Sequence, residues 1–202
     1  MDFNILKPKK AVEAAFEKPN IVFALVLVLL PPIASIAIAS FSGILAGIER
    51  IAYSIVMAYV GFFLLAIIIF VIGWLLNSAS VKGKAAGFLS ALSLAQIISL
   101  AIIVLSFITF PIIVSPQASA LMLGGGQLAP EAQAIEMKAI IDQNPAAINY
   151  YALGAMLVVT AALMVWGIYI MYLAVKKLTG SKALVALVIT LVALFILGSL
   201  PL

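Results

Sequence analysis

The chain has 202 residues, of which 66% are hydrophobic and only 9% are charged, with a formal net charge of +4. A soluble domain carries about 25% charged residues, so a water-soluble fold of this composition lacks the polar surface to cover itself. Cysteine and histidine are both absent, which excludes a disulfide framework and lipidated thiols and removes most metal sites and the usual proton shuttles. Charge-free runs cover 21–48, 51–81, 85–130, 143–175 and 183–202. Each can supply the roughly 20 helical residues that span about 30 Å of hydrocarbon. They are continuous in Leu, Ile, Val and Ala, without the alternation of a β-barrel, so the expected fold is all-α and membrane-integral. It is a bundle of five transmembrane helices preceded by a short interfacial amphipathic helix.

The opening segment, NILKPKKAVEAAFEKPN, predicts that amphipathic helix within residues 1–20, started by Pro8 and stopped by Pro19. Val12, Ala15 and Phe16 fall on one side and Lys9, Lys10, Glu13 and Glu17 on the other, as in a helix lying along the headgroup layer. A secretory signal peptide fits less well, because the charged lead is long and a proline pair interrupts the apolar run.

Span one is expected over roughly 21–45 and contains LLPPIAS. Pro31 and Pro32 lack amide hydrogens, which leaves the carbonyls of Leu27 and Val28 without their usual partners and predicts a helix kink. On the same span Ser35, Ala39, Gly43 and Gly47 recur every four residues, a spacing that lets helix backbones approach. Span two is expected over roughly 51–76, span three over 86–110, span four over 147–174 and span five over 183–200. An external loop, 112–146, carries a triple glycine and a short helix over 131–142. Tyr150, Tyr151, Trp166, Tyr169 and Tyr172 place aromatic anchors near both ends of span four.

The basic residues set the orientation. With five spans, Lys7, Lys9, Lys10, Lys18, Lys82, Lys84, Lys176, Lys177 and Lys182 fall on one side, and Arg50 and Lys138 on the other. The lysine-rich side is expected to be cytoplasmic, with the N-terminus inside and the C-terminus external. KKLTGSK then reads as a tight cytoplasmic turn held by its lysines.

Residues for chemistry are scarce. No Asp or Glu lies within a span, no histidine can serve a serine nucleophile, and GGGQLAP lacks the lysine of a phosphate loop. An enzyme, a cofactor site and nucleic-acid binding are therefore not expected. Glu49 and Arg50 read as an interfacial helix start, Glu49 favouring the positive end of the helix dipole. Ser93, Gln96, Ser99 and Ser106 project within an arc of about 140° on span three. This polar seam suits helix packing, and it is also where a transporter or lipid-translocating protein would place its pathway.

Three stretches together resemble the Ypt-interacting (Yip) domain family of five-span membrane proteins. They are ILKPKKAVEAAFEKPNIVFALVLVLLPPI, GWLLNSASVKGKAAGFLSALSLAQIISL and VWGIYIMYLAVKKLTGSKALVALVITLVALFIL. The resemblance implies a cytoplasmic N-terminus, five helices and a role in organising membrane components, as in eukaryotic relatives that associate with Rab-type GTPases in vesicle formation. Those relatives have a longer N-terminal region with an aspartate-leucine-tyrosine-glycine-proline type motif, which this chain lacks, so the GTPase partnership is not carried over. A prokaryotic member is the expectation. Its expected partners are membrane lipids and other membrane proteins or further copies of itself. Lys9, Lys10, Lys176, Lys177 and Lys182 are the candidate contacts to anionic headgroups, each worth about 1 kcal/mol near such a surface.

Overall fold

The computed structural model describes residues 6–41, 48–115, 130–144 and 148–199. These form eight helices: α1 (Pro8–Glu17), α2 (Ile21–Phe41), α3 (Ile48–Val81), α4 (Ala85–Ser93), α5 (Ala95–Ile113), α6 (Pro130–Gln143), α7 (Tyr150–Thr179) and α8 (Ala183–Ser199). Four stretches are long and apolar enough to cross a membrane: Ile21–Ile38, Ile51–Asn77, Ala85–Ile113 and Tyr150–Thr179. The fifth apolar helix, α8, has 17 residues and is about 25 Å long.

The helices bury one stripe and expose apolar residues everywhere else. On α8, Ala186, Ile189, Thr190 and Ala193 are sealed inside while Leu184, Val188 and Phe195 stand exposed, Phe195 at 78%. Such a helix is apolar all round, which is stable only where its outer face meets lipid or protein. The core runs the length of the bundle through Val28, Phe62, Ile69, Leu92, Ile98, Ile170 and Ala174. α5 packs between α2 and α7, and α3 touches α2, α7 and α8.

Two of the long helices carry exposed aromatic residues toward both ends. Tyr53 and Trp74 are exposed on α3, 21 residues apart and so separated by about 32 Å. Tyr151 and Tyr169 are exposed on α7, 18 residues or about 27 Å apart. Both separations are close to the thickness of a hydrocarbon layer of about 30 Å.

Several boundaries differ from those expected. Span three tightens at Leu94, where α4 passes into α5: Leu94 keeps right-handed helical geometry (φ −61°, ψ −28°), with i→i+3 bonds from Leu94 N to Ala91 O (3.3 Å) and from Ile97 N to Leu94 O (3.2 Å). α3 continues past residue 76 but leaves helical geometry at Asn77 (φ −158°, ψ 77°). α2, by contrast, runs helically through Pro31 and Pro32. α7 extends through Lys176 and Lys177 to Thr179, so these lysines occupy the last helical turn and not a loop. The turn itself is confined to Gly180–Lys182. Gly180 (φ +62°) supplies the left-handed residue that ends the helix, and its amide returns to Lys176 O at 3.0 Å.

α1 is amphipathic as expected, yet its apolar side is covered by protein. Ala11, Val12 and Ala15 are each 2% exposed and pack against α4 and α7. Gly87 on α4 makes this approach possible: a Cβ there would meet Phe16 Cα at 3.0 Å and its ring at 2.9 Å. α2 then starts on an Asn cap. Asn20 Oδ1 accepts from Phe23 N (2.9 Å), and Asn20 N donates to Ser90 Oγ on α4 (3.0 Å).

Candidate functional site

The site is the end of the bundle where the lysines gather. A helix of α7's length leaves four carbonyls without intrahelical partners at its C-terminus. Here each of them is met. Gly180 N takes Lys176 O, and Lys84 Nζ reaches Lys177 O at 3.3 Å and Leu178 O at 3.5 Å. Ser80 Oγ also donates to Leu178 O (3.0 Å), and Asn77 Nδ2 donates to Thr179 O (3.2 Å). The break at Asn77 serves this arrangement twice, since Asn77 Oδ1 accepts from Ser80 N at 3.2 Å and so caps the following turn. Lys84 Nζ additionally donates to Ser80 Oγ at 3.1 Å. An ammonium at a helix C-terminus is favoured by the macrodipole as well as by these bonds. Thr179 closes the corner: fully buried, it donates to Val175 O (2.9 Å) and shares a 2.7 Å bond with Ser181 Oγ.

Beside this clamp, α1 and α7 line an open cavity of about 420 Å³. Lys9 and Glu13 face it from α1; Tyr169, Tyr172, Lys176 and Lys177 face it from α7. The α7 side is a ladder of rings and charge. Trp166 and Tyr169 have centroids 6.0 Å apart, Tyr169 and Tyr172 stack at 6.0 Å, and Lys176 Nζ lies 6.0 Å from the Tyr172 centroid. Among the described residues, Lys9, Lys176 and Lys177 are in no ion pair. The cavity therefore presents three ammonium groups, one carboxylate and two phenols at the level where apolar helix surface gives way to charge. Such a set can hold a phosphate-bearing group and accept a hydrogen bond from a neighbouring hydroxyl or amine.

Of the five lysines expected at headgroups, Lys9, Lys176 and Lys177 share this cavity. Lys10 and Lys182 are exposed elsewhere on the same end. The polar seam of span three has another use. Ser93 is fully buried and bonds to Ser90 O within its own helix (2.9 Å), and Ser106 bonds to Ile102 O (2.8 Å). Gln96 and Ser99 are half-buried, with no hydrogen-bond partner for their side chains among the described residues. The tightened turn at Leu94 lies between Ser93 and the other three. None of the four lines the α1–α7 cavity or the smaller apolar groove of about 210 Å³ beside Phe63, Phe70 and Phe88. On α2, Ser35 Oγ returns to Pro31 O (3.0 Å), while Tyr59 of α3 donates to Leu25 O (3.2 Å). Gly43, Gly47 and the side chains of Ala39, Glu49 and Arg50 lie outside the described residues.

Sequence reasoning missed the residues that assemble the clamp. Lys84 enters the sequence reading only as a charge, and Ser80, past the expected end of span two near residue 76, has no role in it. The available signal was the motif NSAS: Asn followed three residues later by Ser, at the end of an apolar run, is a cap pattern. Ser90 was likewise passed over in favour of Ser93, although it is Ser90 that joins two helices.

Compared with protein-family models, with curated proteins and with solved structures, the chain matches none.

Proposed function

We propose that this chain is a non-enzymatic, multi-pass membrane protein of the Yip type that organises membrane lipids and partner proteins, further copies of itself included. In this reading α8 is a fifth span, the lysine-bearing end and the N-terminus lie in the cytoplasm, the C-terminus is external, and the membrane is the cell membrane of a prokaryote. One observation carries it. The three segments bearing the basic excess, 7–18, 82–84 and 176–182, are far apart in sequence yet meet at one end of the bundle, through the α1 docking and the Lys84 bonds. A concentrated positive end is what a cytoplasmic face requires.

The absence of native cysteine gives a direct test. Gln143→Cys and Ala183→Cys place single thiols at exposed positions at opposite ends of the bundle. In intact cells an impermeant maleimide is expected to label position 143 and not 183. Labelling at 183 overturns the orientation. For the organising role, mild cross-linking in the native membrane is expected to capture a defined protein partner. Solute or lipid flux in liposomes, abolished by Gln96→Ala, would instead establish a transporter.

A further inference from the structure

The α1–α7 cavity is continuous in direction with one face of α7. At 100° per residue, Val158, Ala162, Val165, Tyr169 and Lys176 lie within about 60° of one another around the helix axis. The apolar members of this stripe are bare: Val158 is 70% exposed and Val165 67%. Tyr169 stands seven residues or about 10 Å below Lys176. From the membrane interior outward the order is therefore an apolar strip, two tyrosines, then three lysines and a carboxylate. A soluble phosphate would find use for the last layer only. A glycerophospholipid matches the whole sequence, with its acyl chain on Val158 and Val165, its glycerol level at the tyrosines and its phosphate at the ammonium groups.

We propose that this cavity is a binding site for an anionic phospholipid whose headgroup carries free hydroxyls, as in phosphatidylglycerol. Lys9, Lys176 and Lys177 hold the phosphate, and Glu13 accepts from a headgroup hydroxyl. Because Lys9 and Glu13 come from α1 and the rest from α7, the bound lipid bridges the two helices and α1 is a wall of its site. The proposal deepens the membrane-organising reading and rests on this end lying at a membrane surface. The thiol-labelling result tests that orientation separately, so failure of one is distinguishable from failure of the other.

The test uses the purified full-length chain in mixed micelles with equal amounts of phosphatidylglycerol and phosphatidylcholine, with co-purifying lipid quantified by mass spectrometry. Enrichment of phosphatidylglycerol is expected. Lys176→Gln should reduce it about fivefold, and the Lys9→Gln/Lys176→Gln/Lys177→Gln protein further. Lys10→Gln/Lys182→Gln removes two charges from the same end but none from the cavity, and should lower enrichment by less than Lys176→Gln alone. Lys176→Arg/Lys177→Arg, which keeps the charge, should retain it and guards against misfolding as the cause of loss. Equal loss in the Lys10/Lys182 variant would reduce the effect to diffuse charge and overturn the proposal. So would absence of enrichment, or displacement of the lipid by inorganic phosphate at the concentration of the lipid.

Discussion

The two ends of the bundle are built differently. At the lysine end, side chains from α3 and the following turn bond to carbonyls of α7 about a hundred residues away, and α1 is docked over the adjoining surface. At the other end the described contacts are fewer and lie closer together in sequence. Val114 and Ile148 form an isolated bridge, Asn149 N donates to Ile113 O (2.7 Å), and Asn149 Oδ1 caps α7 through Ala152 N (3.1 Å). Ile113 and Val114 are buried there beneath Phe110, Ile140 and Ile148. α6 leans on this cluster through Ile140 while Ile135, Glu136 and Lys138 stay exposed. One end is thus fastened by polar side-chain bonds between segments about a hundred residues apart, and the other by a cap, a short main-chain bridge between 113–114 and 148–149, and a small apolar patch. Fastenings between distant segments resist opening of the whole bundle, whereas local ones resist only their own fraying.

Gly180→Val should break the comparison most sharply. It forces a β-branched residue into left-handed geometry, which costs about 2 kcal/mol. It also places a Cβ 3.0 Å from Ser80 Oγ and so disturbs the clamp. Thermal unfolding in detergent is expected to shift downward, together with amide exchange throughout α3 and α7. A matched pair comes next. Lys84→Met orphans Lys177 O, and Asn149→Ala removes the α7 cap, each at about 1 kcal/mol. Hydrogen exchange should separate them: the Lys84 variant accelerates exchange in α3, α4 and α7 together, the Asn149 variant only around 149–153. Identical, bundle-wide profiles would show that the two ends are equally coupled. The smallest effect is expected for Ile140→Ala, which removes a half-buried contact of α6 worth about 1 kcal/mol or less. It should release α6 to protease without lowering the melting temperature.

Composition and apolar runs made the helical, membrane-compatible architecture legible, because lipid-facing helices must be apolar over their full length. That same continuity hid the interruptions. The break at Asn77 is supported by a bond to Thr179 O, 102 residues away, and the tightened turn at Leu94 has no charge or proline to mark it. The lysine-bearing segments meet at one end of the bundle. Lysine positions did not foretell that Lys9, Lys176 and Lys177 would share a cavity and Lys10 would not. That division follows from how α1 rotates when Ala11, Val12 and Ala15 are buried, and from the room left by Gly87. The serine seam was legible as a face. Its use was not, because a hydroxyl in a helix can bond back to its own turn, as Ser93 and Ser106 do.

Lys84 has a consequence for how this end responds to its surroundings. Its ammonium sits among two main-chain oxygens and a hydroxyl, the kind of nest a free potassium or sodium ion would otherwise seek. The polypeptide therefore brings its own tethered counter-ion, and electrolyte has nothing to add or displace there. Acylation of that one amine would strip Lys177 O of its partner, while Ser80 Oγ would still serve Leu178 O.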